Sequence, residues 1–317
     1  MTRQSLLSVA AVAIMASAVD VTGQQPVFSA RTVAVRLDAS VFDGTKVVRG
    51  LTTTDFEVSD SGVKQNVQVL ETHDAQLDVV LLVQPMRSLT LERQSLVQPA
   101  AEALRRDLQP SDRFGLVLAS AAPEIVRPLN SADGAAAVVG TLTGSEGVTV
   151  RDAMLQSLLL FDAEDRRKAL VVLTDGTHDQ SWVREGGVQA AADHLNVQVI
   201  VGGIETNSSR IVGSTWYDGG FSVTNRSQVA GENRLELPRW LQELARRTGG
   251  ACVDLRSSTA PERMRELLSY LRSQYVITYT PSRVTPTGWH DVTVRLRGKK
   301  GTVVTRAGYW ATDQIDP

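Results

Sequence analysis

The 317-residue sequence has almost no cysteine: Cys252 stands alone. No internal disulfide can form, so stability has to come from a packed core. Neither sign of charge is in excess, with 33 Lys and Arg against 35 Asp and Glu, and no block of like charges occurs. That balance leaves no sizeable positive field for a phosphate backbone and argues against nucleic acid as the main partner. Beyond the N-terminus no apolar run is long enough for a membrane helix. Catalytic signatures are missing too: there is no G-x-S-x-G, H-E-x-x-H, glycine-rich phosphate loop or C-x-x-C pair. What is present, 42 % apolar and 21 % charged residues, is ordinary for a well-cored globular protein. The length suits one large domain with a small one.

Residues 1–23 read as a signal peptide rather than as part of the fold. Arg3 supplies a positive start, and Leu6 to Ala18 is apolar apart from small residues. Ala16-Ser17-Ala18 offers the small side chains that a signal peptidase accepts, and a second cut is plausible after Gly23. The run falls short of the ~20 residues needed to span a bilayer. The expectation is a secreted or periplasmic chain with no membrane insertion after cleavage.

Three zones follow. Residues 28–75 form an N-terminal β-rich segment, with alternation in Val33-Ala34-Val35-Arg36-Leu37 and Val67-Gln68-Val69-Leu70 and turns at Asp43-Gly44 and Ser61-Gly62. Residues 77–273 alternate apolar strands with helical patterns. Val79 to Val83 and Ala169 to Leu173 are continuous apolar runs of the kind buried on both faces of a parallel sheet. Glu124 to Leu129 reads as an edge strand, Ala135 to Leu142 as a small helix, and Cys252 as a small hydrophobe in a short buried strand. Strands joined through helices imply right-handed crossovers and a doubly wound, mostly parallel α/β sheet. Residues 274–312 form a C-terminal β segment. Neither β segment buries enough alone, so the two are expected to combine into one small β domain beside the α/β domain.

With these residues in order, the chain resembles the VWFA-related domain family described from Acidobacteria, a von Willebrand factor type A (vWA)-like group. Gly50-Leu51-Thr52-Thr53-Thr54-Asp55-Phe56-Glu57-Val58, with Asp60 and Gly62, looks like that family's N-terminal signature. Leu170 to Gly176 looks like its fourth core strand. Leu271-Arg272-Ser273-Gln274-Tyr275, Tyr279-Thr280-Pro281 and Arg306-Ala307-Gly308-Tyr309-Trp310 resemble its tail.

The resemblance implies a place where a vWA domain often holds Mg²⁺, through a D-x-S-x-S stretch, a threonine and a strand-end aspartate. Here the first element reads Gln84-Pro85-Met86-Arg87-Ser88. An amide replaces the carboxylate, a soft thioether replaces the first serine, and Arg87 adds positive charge. The metal set shrinks to Ser88, a displaced Thr149 and Asp175. The same loops are expected to bind a protein partner without metal, through Gln84, Met86, Arg87, Ser88, Thr149, Asp175 and His178. The long polar stretch Glu205 to Asn233 adds Trp216 and Tyr217, as contacts or as loop packing.

The histidines His73, His178, His194 and His290 are scattered, and His178-Asp179 has no nucleophile beside it. The expectation is a non-catalytic, exported interaction module with no cofactor. Two alternatives stay open: a Mg²⁺-dependent adhesion domain with a degenerate site, and a structural subunit of an envelope assembly.

Overall fold

The computed structural model describes residues 34–44, 46–72, 75–84, 91–132, 147–162, 165–176, 180–204, 237–255 and 258–311. Residues 33–317 form one compact unit. The expected helix at 135–142 and the stretch 205–233 lie outside the described residues.

A six-stranded mixed sheet lies at the centre. Its strands are β6 (Leu77–Val83), β7 (Arg113–Ala119), β8 (Pro123–Ser131), β9 (Arg167–Thr174), β10 (Gln198–Gly203) and β11 (Cys252–Asp254). Their spatial order is β11-β10-β9-β6-β7-β8, parallel throughout except for the antiparallel edge strand β8. Every residue of β6 is buried, which explains why its sequence shows no polar alternation. Strand geometry sends successive side chains to opposite faces. Val79, Leu81 and Val83 meet α1 (Leu91–Arg106) and α5 (Ala260–Arg272) on one side. Val80 and Leu82 meet α2 (Val150–Leu158), α3 (Glu185–Leu195) and α4 (Arg239–Arg247) on the other. Each such Leu or Val contributes roughly 1.5–3 kcal/mol by leaving water.

Charges pin the other end of this sheet. Asp78, fully buried, accepts hydrogen bonds from Arg113 and Arg166, and Arg272 pairs with buried Asp112. Asp112 also accepts the backbone N–H of Leu77 at 2.9 Å and of Gln109 at 2.7 Å. Cys252 begins β11 half-buried, and burial pushes its thiol up to about 12, so it behaves as a small hydrophobe.

The remaining strands come from both ends of the chain: β1 (Val35–Asp43), β2 (Lys46–Val47), β3 (Phe56–Asp60), β4 (Val63–Gln65), β5 (Gln68–Glu71), β12 (Tyr275–Tyr279), β13 (Gly288–Leu296), β14 (Thr302–Thr305) and β15 (Gly308–Ala311). They make two sheets rather than one. The first runs β14-β1-β12-β5 with β2 on β1, and the second runs β15-β13-β3-β4. Their inward residues share a single core that includes Leu37, Val41, Phe56, Tyr275 and Ile277. Arg167 ties the central sheet to this part, donating to Asp38 Oδ1 at 2.8 Å and Thr72 Oγ1 at 3.2 Å. Glycine is required at one turn of the central sheet itself. A Cβ on Gly250 would lie 1.9 Å from the Val199 carbonyl oxygen, so no side chain fits where the α4–β11 turn crosses β10.

Candidate functional site

Loops gather where the parallel strands end, the place at which open α/β sheets present residues to a ligand. β6 is followed by Gln84, and β9 ends in Thr174 and is followed by Asp175. The Gln84 backbone N–H donates to the Leu173 carbonyl at 2.9 Å, so the ladder between the two strands continues one residue beyond β6. This sets the Gln84 side chain against the end of β9. Its amide Nε2 donates to Asp175 Oδ1 at 2.8 Å, and its Oε1 accepts from the Thr174 hydroxyl. Thr174 Oγ1 in turn accepts the Gly176 N–H at 2.9 Å. Asp175, as a carboxylate, only accepts, which fixes which end of the Gln84 amide faces it. All three side chains are buried, where an ordered chain of hydrogen bonds of this kind strengthens each member.

A second bracket lies beside it. Thr149, the residue before α2, is buried and donates its hydroxyl to the Ser120 carbonyl at 2.7 Å, joining the end of β7 to the start of α2. The orphan N–H groups of that helix start are taken by Ser181. Its Oγ accepts from Arg151 at 3.0 Å and Asp152 at 3.1 Å. Asp152 returns the favour, taking the N–H of Trp182 at 3.1 Å and of Val183 at 2.8 Å. Gln180 N–H donates to the Val148 carbonyl at 2.8 Å. The segment after β9 is thereby clamped to the start of α2.

Of the residues expected from sequence, the structure joins Gln84 to Asp175 directly and places Thr149 in the neighbouring bracket. Met86, Arg87, Ser88, His178, Trp216 and Tyr217 lie outside the described residues. Four further participants were not singled out from sequence: Thr174, Asp152, Ser181 and Trp182. Their roles depend on contacts between segments some thirty to ninety residues apart, which no local pattern reveals.

Of the expected metal set only Thr149 and Asp175 are described, and by themselves they do not supply the oxygen shell of Mg²⁺. That ion takes about six hard oxygens in octahedral geometry. Here the one carboxylate of the set receives an amide N–H, whose positive hydrogen stands where a cation would need another oxygen. Among the described residues no group of three or more His, Cys, Asp and Glu side chains is placed to hold a metal.

No family model matches the sequence, and no curated protein sequence matches it. Structural neighbours are von Willebrand factor type A domains and a BatB protein. A von Willebrand factor type A protein from Catenulispora acidiphila aligns over 83 % of this chain and 75 % of its own, with 14 % identity and a TM-score of 0.48. BatB from Bacteroides thetaiotaomicron aligns over 62 % of this chain and 98 % of its own, with 18 % identity and a TM-score of 0.44. Proximal thread matrix protein 1 from the mussel byssus, with a zinc-occupied MIDAS motif, aligns over 64 % and 49 %, with 16 % identity and a TM-score of 0.44. These are distant likenesses, and the class of the fold, a mixed α/β sheet with five helices among the described residues, rests on the strand order and helices given above.

Proposed function

We propose that this chain is an exported, non-catalytic interaction module that binds a protein partner through the strand-end loops without a metal ion. In this reading the doubly wound sheet belongs to a VWFA-related domain, and the strands from the two ends of the chain form its flanking β domain. The observation that carries the proposal is the Gln84 amide set between Thr174 and Asp175. It satisfies internally the carboxylate that a metal-dependent site would leave for the ion. The non-catalytic reading rests on the sequence, which holds none of the catalytic signatures named above. Export is supported by residues 1–23 alone, and among the described residues no helix is long and apolar enough to cross a membrane.

The test is a photoreactive amino acid placed at Gln180 in the full chain, with the same group at exposed Asp162, at the far end of the sheet, as control. The proposal expects adducts from position 180, formed outside the cytoplasm and unchanged by chelator, and none from 162. Adducts that vanish with chelator, or a chain held in the cytoplasm with residues 1–23 intact, would contradict it.

A further inference from the structure

Trp182 is 95 % exposed, more than any other large hydrophobic side chain among the described residues. An indole left in water is costly, and here the cost falls on a rigid mount. The Asp152 carboxylate holds the backbone N–H groups of Trp182 and Val183, Ser181 caps α2, and Val183 packs into the core beneath. We infer that Trp182 is the anchor of the interaction surface and inserts into an apolar socket, rimmed by carboxylates, on a folded protein partner. The inference rests on the interaction reading above and names the chemistry of its partner.

Three features favour that occupant. First, the mount is already ordered, so binding sacrifices little loop entropy, and tryptophan and arginine are the side chains that most often dominate interfaces. Second, the charge beside the indole that reaches outward is positive. Arg184 is exposed, whereas both Asp152 oxygens are turned onto backbone N–H groups. Glu185, in the first turn of α3, is offset by that helix's positive end. Third, the indole is exposed over nearly all of its surface, so a partner can enclose it rather than only cover one face. A lone apolar tip flanked by charge is also a poor membrane anchor, which needs a second apolar or lipid signal.

The experiment uses the purified full chain and a display library of a small folded scaffold with a randomised concave face. Selected binders are measured against Trp182→Ala, Arg184→Glu and Ala121→Arg, the last altering an exposed strand-end loop. Because Trp182 touches solvent, its removal leaves the thermal midpoint unchanged, and loss of binding cannot be assigned to unfolding. The inference expects most binders to carry acidic residues around an apolar socket and to lose roughly thirtyfold or more in affinity with Trp182→Ala. It also expects weakening with Arg184→Glu. Binders lost with Ala121→Arg but indifferent to Trp182→Ala overturn the anchor and leave the strand-end reading standing. Binders indifferent to both overturn both. Trp182-dependent binding to vesicles of phosphatidylglycerol and phosphatidylcholine, with no such dependence among the binders, overturns the protein socket in favour of a membrane.

Discussion

Asp60→Ala is expected to lower the unfolding free energy by about 3–5 kcal/mol, the cost of breaking a buried charged cluster from one side. Asp60 is fully buried and accepts four hydrogen bonds. His290 Nδ1 at 2.7 Å and Ser61 Oγ at 3.2 Å reach Oδ1, and the hydroxyls of Tyr279 at 3.0 Å and Tyr309 at 2.7 Å reach Oδ2. These bonds join β3 to β13 and β15 in one sheet and to β12 in the other. Alanine would leave His290 and two phenols without their acceptor in a dry interior. Burial, reinforced by the Asp60 carboxylate, pushes both phenols well above the usual tyrosine range, so they stay donors at every working pH. Chemical denaturation checks the prediction. In a chain of this size the midpoint of thermal unfolding should fall by roughly 10 °C. Tyr279→Phe, which removes one donor and keeps the ring, is expected to cost only about 1 kcal/mol. An Asp60→Ala protein within about 1 kcal/mol of the parent would show that the cluster does not hold the two sheets together.

The second large effect is at the strand ends. Gln84→Glu changes the side chain by one atom and puts a second carboxylate 2.8 Å from Asp175 Oδ1, in a place where both side chains are buried. Two carboxylates cannot share such a site as ions without strong mutual repulsion. The expected loss is about 3 kcal/mol near neutral pH. The sign of the pH dependence follows. Repulsion raises one carboxyl's folded-state pKa above its unfolded value, so the variant binds a proton on folding and regains stability as pH falls. Two facing carboxylates also supply the oxygen pair that the parent lacks, so Mg²⁺ should raise the variant's thermal midpoint while leaving the parent's unchanged. Equal stability of parent and variant between about pH 5 and pH 8, the range in which the second carboxyl would titrate, would mean that Gln84 and Asp175 do not meet.

Much of the architecture is legible in the sequence because its central strands carry an unambiguous physical mark. Val79 to Val83 and Ala169 to Leu173 contain no polar residue, and only burial on both faces of a sheet permits that. The strand Glu124 to Leu129, broken by Pro128, reads as an edge strand, and β8 is the antiparallel edge. The polar clusters were not legible. Asp60 and His290 stand 230 positions apart, in strands whose alternation suggests solvent on one side, and nothing local distinguishes an inward polar residue from an outward one. Asp60, Tyr279 and Tyr309 come from opposite ends of the chain and meet only in the fold, on one carboxylate. At the candidate site the sequence places Gln84 directly after an apolar strand. It does not show that the amide turns to bridge Thr174 and Asp175, because that depends on the register between β6 and β9. Trp182 carries no local mark of its exposure, because the carboxylate that holds its backbone out belongs to Asp152, thirty residues earlier.

Titration calorimetry with Mg²⁺ and Mn²⁺ on the full chain, beside an Asp175→Ala control, tests the proposed metal independence most directly. The Gln84–Asp175 bond predicts no saturable heat from either ion in either protein. Heat that saturates near one ion per chain and disappears with Asp175→Ala would contradict it, and would mean that Gln84 swings away to admit a cation.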